Sequence, residues 1–361
     1  MSEARVGAEA GYASSTTLDE IASWLRTRRR VCVLTHAKPD GDAIGSTIAL
    51  VRTLRLIGGS WADPAHIKAW YYGPLPTWTK SIAQSDEFEA VSSSKINESG
   101  VNETEPDAIV VLDTGSWNQI ESVTSLLRGR ADRTVVVDHH LDGNPEVAER
   151  RFIDAKAAAV CVLVAELCRL LLERESVSKL PAGVAEPLFL GIATDTGWFK
   201  HSNVDARALR TAADLIEAGA DHSRLFRETE QRQRSGRLRL VGRALSGMEL
   251  HLDDRLALLS VAAKDVHETG VGLGDSGGLA DYALAIEGVE VAAVLTEVEG
   301  EGRPLTKISM RSKSADDPIA VNEILTAFGG GGHRQAAGAR YEGAIDEAKK
   351  ELVRLVKEAL S

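Results

Sequence analysis

Four short polar clusters along this chain contain side chains of the types that bind hard metal ions in proteins. They read THAKPDGDAIGS at residues 35–46, DTGS at 113–116, DHH at 138–140 and TDTG at 194–197. Carboxylate oxygens combined with imidazole nitrogens suit Mn²⁺ or Mg²⁺ better than a soft metal. Two histidines and four aspartates suffice for two cations that share one bridging carboxylate, an arrangement that activates water and binds phosphate groups. The candidate ligands are His36, Asp40, Asp42, Asp113, His139 and Asp195.

Each cluster taken alone also has a purely structural explanation. Asp40 and Asp42 could cap the helix that follows them, and Asp113 and Asp195 could be further helix caps. The DHH tripeptide could be a turn with exposed histidines. A calcium loop is excluded, because the twelfth position counted from Asp40 is Val51 rather than Glu. The occurrence of four such clusters, each where an apolar element ends, favours the metal site.

The elements that must position these clusters are apolar strands. Three short runs of mainly Val, Ile and Leu, at residues 31–34, 108–112 and 134–137, are typical of buried parallel strands. Ligands of an open α/β sheet bind outside the carboxyl ends of its strands, so we expect the clusters to meet at one edge. After a disordered N-terminus, a capping box at residues 17–20 predicts a helix start. Further helices are expected at residues 43–57, 157–172 and 182–193, and a surface loop at 92–106.

The C-terminal half has a different pattern. Residues 205–247 are helical in periodicity and heavily charged, which indicates a solvated connector. Beyond them, predicted strands alternate with predicted helices, so a second α/β domain is expected. The strands are predicted at 256–262, 289–297 and 305–310, and the helices near 277–285, 318–328 and 345–360. The GxGxxG match at 272–277 has no strand directly before it and is interpreted as a loop.

A glycine run in this second half can bind phosphate. The segment FGGGGHRQAAG places Gly330, Gly331 and Gly332 where backbone N–H groups can approach a phosphate, as they do at a helix start. Arg311 and His333 can add charge-assisted hydrogen bonds. The alternative is a flexible glycine turn before a helix, which does not explain why His-Arg-Gln follows.

The composition of the chain argues against several classes of binding partner. The 361 residues suggest two domains, and the net charge of −11 argues against binding of long nucleic acid, which needs many cationic contacts to phosphates. The three cysteines lie in apolar runs without CxxC spacing, so a zinc site or a disulfide framework is not expected. The N-terminus lacks a signal-peptide pattern, and no run approaches ~18 uninterrupted apolar residues. We therefore expect a cytoplasmic protein with no membrane partner.

The order of the motifs resembles the DHH phosphoesterase superfamily over nearly the whole chain, and most closely its nanoRNase and pAp-phosphatase type. THAKPDGDAIGS, VVLDTGS, VVVDHHLDGN and GIATDTGWFKHSN match its four metal-binding motifs. The resemblance implies that Asp113 bridges two cations, that His140 faces the scissile phosphate and that Asp138 orients a ligand imidazole. It assigns one cation to His36, Asp40 and Asp113, and the other to Asp42, Asp113, His139 and Asp195. Residues 157–159 are alanines where the family often has a hydroxyl residue, which puts a substrate contact there in doubt.

The same resemblance implies a division of the chain and a reaction. Residues 1–204 would form the metal-binding phosphoesterase domain, 205–247 a helical linker and 248–361 the associated substrate-binding domain. The expected activity is two-metal hydrolysis of short oligoribonucleotides and of 3′,5′-bisphosphonucleotides such as pAp, with Mn²⁺ preferred and Mg²⁺ or Co²⁺ as alternatives. A phosphodiesterase acting on cyclic dinucleotides or pApA is the second hypothesis. A nucleotide-binding regulator without catalysis is disfavoured by the six intact ligands, and a homodimer is left open.

Overall fold

The computed structural model describes residues 11–58, 66–91, 106–299, 302–313 and 318–360. The chain divides into two compact units, Met1–Gln231 and Arg232–Ser361. Each unit has its own β-sheet and its own apolar core. The predicted α/β fold class, with a parallel sheet in the N-terminal region and a second sheet in the C-terminal region, is confirmed.

The first unit is built on a six-stranded sheet in which every neighbouring pair is parallel. The strand order is β3-β2-β1-β4-β5-β6. The strands are β1 (Val31–Leu34), β2 (Ile67–Tyr72), β3 (Phe88–Val91), β4 (Ala108–Leu112), β5 (Thr134–Asp138) and β6 (Arg150–Ile153). The predictions for β1, β4 and β5 are confirmed, since their apolar side chains are buried on both faces. The outer strands are less apolar and were not predicted.

Helices cover the sheet of the first unit. They are α1 (Leu18–Leu25), α2 (Gly41–Gly58), α3 (Thr79–Ile82), α4 (Thr124–Leu127), α5 (Val160–Leu171), α6 (Ala182–Asp195), α7 (Ala206–Glu217) and α8 (His222–Glu230). The predicted capping box of α1 is confirmed, because Glu20 N donates to Thr17 Oγ1 and Thr17 N donates to the Glu20 carboxylate. The predicted loop at 92–106 lies, apart from its last residue, outside the described residues.

Small residues let α2 and α6 approach closely. A Cβ added at Gly45 would overlap the carbonyl oxygen of Pro187, and a Cβ at Gly191 would lie 2.8 Å from Asp42 Oδ1. Both glycines are therefore required by the space between the two helices. Their contact brings the start of α2, which carries Asp42, beside the last turns of α6, which end at Asp195.

A proline inside α6 is compensated by an arginine of α2. Pro187 has no N–H, so the carbonyl of Gly183 one turn earlier lacks its helical donor. Arg52 Nη1 donates to that carbonyl at 2.6 Å. The same guanidinium makes two hydrogen bonds, of 2.6 and 2.9 Å, to the Glu87 carboxylate, which is 7% exposed. Arg52 thus fixes the start of α6 against α2 and the segment before β3.

The start of the described chain runs along the edge of the sheet. The backbone N–H groups of Ser15 and Thr16 donate to the carbonyl of Arg151 in β6, and Ser14 Oγ accepts from Ile153 N. Disorder was expected before the first helix. The described part of that region is instead ordered by hydrogen bonds to an edge strand, and residues 1–10 lie outside the described range.

The second unit contains a mixed six-stranded sheet in the order β11-β12-β10-β9-β8-β7. Only β8 and β9 pair in parallel; the other neighbours are antiparallel. Its elements are α9 (Ser235–Ser246), β7 (Glu249–His251), β8 (Leu256–Val261), α10 (Ala263–Thr269), α11 (Leu279–Leu284), β9 (Val291–Val298), β10 (Leu305–Ser312), α12 (Val321–Thr326), β11 (Gly331–His333), β12 (Ala336–Glu342) and α13 (Ile345–Ala359).

The helices of the predicted linker, residues 205–247, divide between the two units. Ala208, Leu215 and Leu225 of α7 and α8 belong to the core of the first unit, whereas Leu240 and Ala244 of α9 belong to a core of the second. The functional division at 1–204, 205–247 and 248–361 stays a prediction. Within the described ranges, no helix has the length and apolarity needed to cross a bilayer.

The glycine run does not open a helix, contrary to the expectation from sequence. It follows α12 and enters the hairpin of β11 and β12, in which Gly331 pairs with Gly338 and Gly332 pairs with Ala337. In β12 the residues alternate, with Ala337 and Ala339 buried and Gly338 and Arg340 exposed, which is the period of a strand. This period of two indicates that the residues after the glycine run form a strand of a hairpin rather than a helix.

Candidate metal centre

The predicted ligands converge at the carboxyl ends of three adjacent strands. The sheet order reverses at β1, because β2 lies on one side of it and β4 on the other. Such a reversal opens a crevice for ligands at the strand ends. His36 follows β1 by two residues, Asp113 follows β4 directly, and β5 ends at Asp138, just before His139.

His36, Asp40 and Asp113 form the first group whose ligand atoms could hold a cation. His36 Nε2 lies 3.4 Å from Asp113 Oδ2 and 3.9 Å from Asp40 Oδ1. The other ring nitrogen, Nδ1, is 3.0 Å from the carbonyl oxygen of Ala37. A proton on Nδ1 satisfies that carbonyl, and Nε2 is directed at the two carboxylates.

Asp40 also caps α2. Its Oδ1 accepts from the backbone N–H groups of Asp42 and Ala43, at 3.0 and 3.1 Å. The structural explanation of this residue as a helix cap is therefore correct, and it coexists with membership of the group, because a carboxylate has lone pairs enough for both roles.

Asp42, His139 and Asp195 form the second group. His139 Nε2 lies 3.8 Å from Asp195 Oδ2, 3.9 Å from Asp42 Oδ2 and 3.3 Å from Asp113 Oδ1. Its Nδ1 is 3.1 Å from the carbonyl oxygen of Ala157. This imidazole therefore has the same arrangement as His36, with Nδ1 held by a backbone carbonyl and Nε2 facing carboxylates.

Asp113 lies between the two groups. Its Oδ2 faces His36 and its Oδ1 faces His139, and the residue is 3% exposed. The backbone has φ of 65°, a left-handed conformation that non-glycine residues seldom adopt outside special sites. Among the described residues no hydrogen-bond donor reaches Asp113 Oδ1. A buried carboxylate whose two oxygens each face a different imidazole Nε2, one of these oxygens having no donor, fits a bridging ligand between two cations.

The electrostatics of the cluster also favour bound cations. Burial lowers the pKa of His36 and His139, but hydrogen bonds and charge from the neighbouring carboxylates outweigh it and raise each pKa to about 10. Burial and the nearby carboxylates raise the pKa of Asp42 well above its ordinary value. Burial raises the pKa of Asp195 to about 6, with Asp113 adding to it and His139 opposing it. The cluster thus stabilises added positive charge, which a divalent cation supplies.

Asp42 has a second role that the sequence did not predict. It is 1% exposed, and its two carboxylate oxygens accept from the backbone N–H groups of Val160 and Cys161, at 2.6 and 3.0 Å. These are the first residues of α5, whose own N-cap, Ala159, has no side-chain acceptor. Asp42 therefore caps a helix that lies far from it in sequence and is not a cap of α2.

Asp138 and His140 form a hydrogen-bonded pair beside the two groups, and His140 also forms a third group with Asp113 and His139 whose ligand atoms could hold a cation. Asp138 is fully buried, and its Oδ1 accepts from His140 Nδ1 at 2.7 Å and from the backbone N–H groups of His139 and His140. Asp138 was expected to orient a ligand imidazole. Its side chain contacts the imidazole of His140, while the ring of His139 is held by the Ala157 carbonyl, so the orienting role of Asp138 stays a prediction and would apply to His140. The His140 side chain is 36% exposed, so a substrate can reach it.

Two residues of this site were missed in the sequence. Tyr12 donates its O–H to Asp138 Oδ2 at 2.6 Å. Burial and the adjacent Asp138 carboxylate raise the pKa of Tyr12, so the phenol keeps its proton. Asn203 Nδ2 donates to the carbonyls of Ala158 and Asp195 and so joins two ligand-bearing segments. No sequence signal marks Tyr12, whereas Asn203 lies in the HSN end of the fourth motif.

The predicted substrate-binding residues lie in the second unit. Arg311 is exposed near the end of β10 and pairs in register with Ala336, which also pairs with His333 of β11. The backbone thus places Arg311 and His333 on the two sides of one residue of β12. Gly330 and Gly331 line a cavity of about 750 Å³ together with Lys307 and Arg340; Gly332 and Arg311 do not line it.

The sequence is similar to those of known proteins. The sequence matches the DHH family, N-terminal domain, over residues 30–192 and the DHHA1 domain over residues 258–361. The bifunctional oligoribonuclease and PAP phosphatase NrnA of Thermus thermophilus is 29% identical over 333 residues, 92% of this chain and 90% of that protein. The cyclic-di-AMP phosphodiesterase PdeA of Listeria monocytogenes is 26% identical over 90% of this chain, but over only 47% of its own length.

A solved structure shows the same fold. An exopolyphosphatase-related protein from Bacteroides fragilis aligns with a TM-score of 0.81 at 24% identity, over 94% of this chain and 95% of that one. At this identity the likeness concerns the fold alone. With the two domain matches in order and the DHH triplet at the end of β5, the chain carries a DHH domain followed by a DHHA1 domain.

Proposed function

We propose that this chain is a metal-dependent phosphoesterase that hydrolyses short oligoribonucleotides and 3′,5′-bisphosphonucleotides such as pAp to mononucleotides. The observation that carries the proposal is the pair of ligand groups at the mouth of the parallel sheet, with Asp113 a member of one group and in contact with His139 of the other. The substrate class is supported by the Thermus thermophilus relative, which matches nearly the full length of both chains. The net charge of −11 also favours short substrates over long nucleic acid.

Two divalent cations are the proposed cofactors. His36, Asp40 and Asp113 would hold one, and Asp42, Asp113, His139 and Asp195 the other. When bound, such a pair supplies activation of water and neutralisation of phosphate charge. We favour Mn²⁺ over Mg²⁺ because each group combines carboxylates with an imidazole, and Co²⁺ is the further alternative. A cytoplasmic location is proposed because all three cysteines are buried and unpaired.

The remaining residues of the site bind and orient the substrate. His140 donates a hydrogen bond from Nδ1 to Asp138 and would direct Nε2 toward the phosphate. A proton on Nε2 can be donated in a hydrogen bond to a phosphate oxygen or to the leaving-group oxygen. In the second unit, Arg311, His333 and the N–H groups of the glycine run would bind the remote phosphate of the substrate. This division assigns hydrolysis to the first unit and recognition to the second.

A cyclic dinucleotide or pApA phosphodiesterase is the second hypothesis. The PdeA relative supports it over the region that matches this chain, but more than half of that protein has no counterpart here. Incubation of the purified protein with Mn²⁺ and pAp, pApA, cyclic di-AMP or a ladder of ribo-oligomers separates the two hypotheses. We expect pAp and the shortest oligomers to be hydrolysed fastest. Preferential hydrolysis of cyclic di-AMP would contradict the first hypothesis.

The division of labour is tested with one substitution in each unit. Arg311→Ala removes a charge-assisted hydrogen bond worth about 1.5–3 kcal/mol, which corresponds to a fall of roughly 10- to 100-fold in kcat/KM for pAp. A small artificial phosphodiester that does not extend to the second unit should be hydrolysed almost normally by this variant. Asp42→Ala should abolish both activities. Arg354→Ala, which removes an arginine paired with Glu351 and Glu358 on α13, is the matched control and should change neither. Equal losses on both substrates for Arg311→Ala would refute the division.

A further inference from the structure

The N-terminal segment before the first helix contributes a side chain to the edge of the metal centre. Residues 14–16 are fixed along β6 by hydrogen bonds to Arg151 and Ile153. This course carries Tyr12 past the end of the edge strand to the end of β5. The contact between Tyr12 and Asp138 joins positions 126 residues apart in the chain.

The space for the tyrosine ring is provided by two glycines. A Cβ at Gly115 would overlap the Tyr12 hydroxyl, and a Cβ at Gly143 would overlap its ring. Gly115 follows the bridging Asp113 by two residues, and Gly143 lies in the loop after His140. The two loops that flank the site therefore accommodate the ring, which a side chain at either position would exclude.

The hydroxyl completes the hydrogen bonding of Asp138. Three donors from His139 and His140 converge on Oδ1, and the 2.6 Å bond from Tyr12 occupies Oδ2. Asp138 is fully buried, so a carboxylate oxygen that loses its donor there is not rehydrated without rearrangement. Both ends of the carboxylate are held, and its plane is fixed. The imidazole of His140 takes its orientation from that plane.

We infer that Tyr12 is a positioning residue for His140, acting through Asp138. The inference deepens the proposed function and rests on the role given there to His140. Residues that hold a functional side chain through hydrogen bonds contribute about 10- to 100-fold to activity when they act directly on it. Tyr12 acts on His140 through Asp138 and not directly, so we expect a contribution of about tenfold, the lower end of that range.

An anchoring role alone would give a different result. The segment is attached to β6 through Ser14, Ser15 and Thr16. The Tyr12 hydroxyl instead donates a hydrogen bond to Asp138, the partner of His140. Tyr12→Phe removes the hydroxyl and keeps the ring between the glycines. Ser14→Ala removes a segment anchor to Ile153 and leaves the hydroxyl in place, so it is the matched control.

The first test is kinetic. With pAp and Mn²⁺, Tyr12→Phe should lower kcat about tenfold and leave KM within about twofold, because orientation of His140 matters most as the reaction proceeds. In a His140→Ala background the same substitution should have no further effect, since the group it positions is gone. An additive loss in that background, no loss in the wild-type background, or an equal kcat loss in Ser14→Ala would overturn the inference.

The second test does not depend on turnover. In ¹⁵N-histidine-labelled protein with Mg²⁺, the imidazole signals of His140, assigned by their absence from His140→Ala, should report a proton on Nδ1 that is held in the hydrogen bond to Asp138. Tyr12→Phe should weaken this hydrogen bond and shift the Nδ1 signal, and Ser14→Ala should leave it unchanged. Unchanged His140 signals in Tyr12→Phe would overturn the inference. Absence of hydrolysis by the wild type would instead contradict the proposed function, while the spectrum still decides the role of Tyr12.

Discussion

The stability of the first unit should depend on the bound cations through Asp113. Asp113 belongs to one group through Oδ2 and contacts the other through Oδ1, so Asp113→Ala removes a ligand from both. His36→Ala alters only the first group directly. Metal-induced stabilisation should therefore be lost in the Asp113 variant and reduced by half in the His36 variant.

The magnitude follows from linkage. With free Mn²⁺ about 100-fold above the dissociation constant, one site adds about 2.7 kcal/mol and two independent sites about 5 kcal/mol. For a unit of this size, Met1–Gln231, each kcal/mol raises the melting midpoint by about 2–4 °C. The wild-type midpoint should then rise by roughly 10–20 °C on Mn²⁺ addition, that of His36→Ala by roughly 5–10 °C, and that of Asp113→Ala hardly at all.

Tryptophan fluorescence provides the assay, because all six tryptophans precede residue 232 and five of them lie among the described residues of the first unit: Trp24, Trp70, Trp78, Trp117 and Trp198. Melts are recorded with chelator and with Mn²⁺. Asp142→Ala is the control, since this exposed carboxylate lies near His140 but belongs to none of the ligand groups found among the described residues. A wild-type shift in Asp113→Ala would refute the bridging assignment, and equal losses in the two ligand variants would refute the division into two groups.

Two further predictions concern the helices beneath the site. Arg52→Ala should cost about 3–5 kcal/mol in urea unfolding followed by tryptophan fluorescence, because it leaves the buried Glu87 carboxylate without its guanidinium; a loss below about 1 kcal/mol would contradict this account. Gly191→Ala should weaken Mn²⁺ binding about 10- to 100-fold in calorimetric titration, because the added Cβ would overlap Cys161 Sγ and lie 2.8 Å from Asp42 Oδ1, and so disturb the Asp42 carboxylate. Gly183→Ala, where no atom lies within 4 Å of the added Cβ, should bind Mn²⁺ as the wild type does, and equal affinity in both glycine variants would exclude the steric explanation.

The central strands and the ligand clusters could be predicted because each is encoded locally. An unbroken apolar run such as Ala108–Leu112 has few alternatives to a buried strand, and Asp113 directly after it must lie at the strand end. The edge strand β6 was not predicted because Arg150 and Arg151 interrupt its apolar pattern, and its place is decided by pairing with β5.

Contacts between distant positions could not be read from the sequence. The hydroxyl of Tyr12 has no periodic or motif context, and its partner Asp138 lies 126 positions away. The orientation of the Asp138 side chain toward His140 rather than His139 likewise depends on the tertiary positions of the Ala157 carbonyl and of the tyrosine. The hairpin after the glycine run was missed because glycine restricts the backbone so little that the following residues decide the structure.

The cap that Asp42 gives to α5 has a consequence for the order of folding. The two partners, Asp42 and Val160, are 118 positions apart, and the helix has no acceptor of its own at Ala159. The N-terminal turn of α5 is therefore completed only after α2 has docked against it, a non-local event that carries a large loop-closure cost. Because the same carboxylate is a proposed ligand, the docking of α2 against α5 also brings Asp42 to its place in the second ligand group.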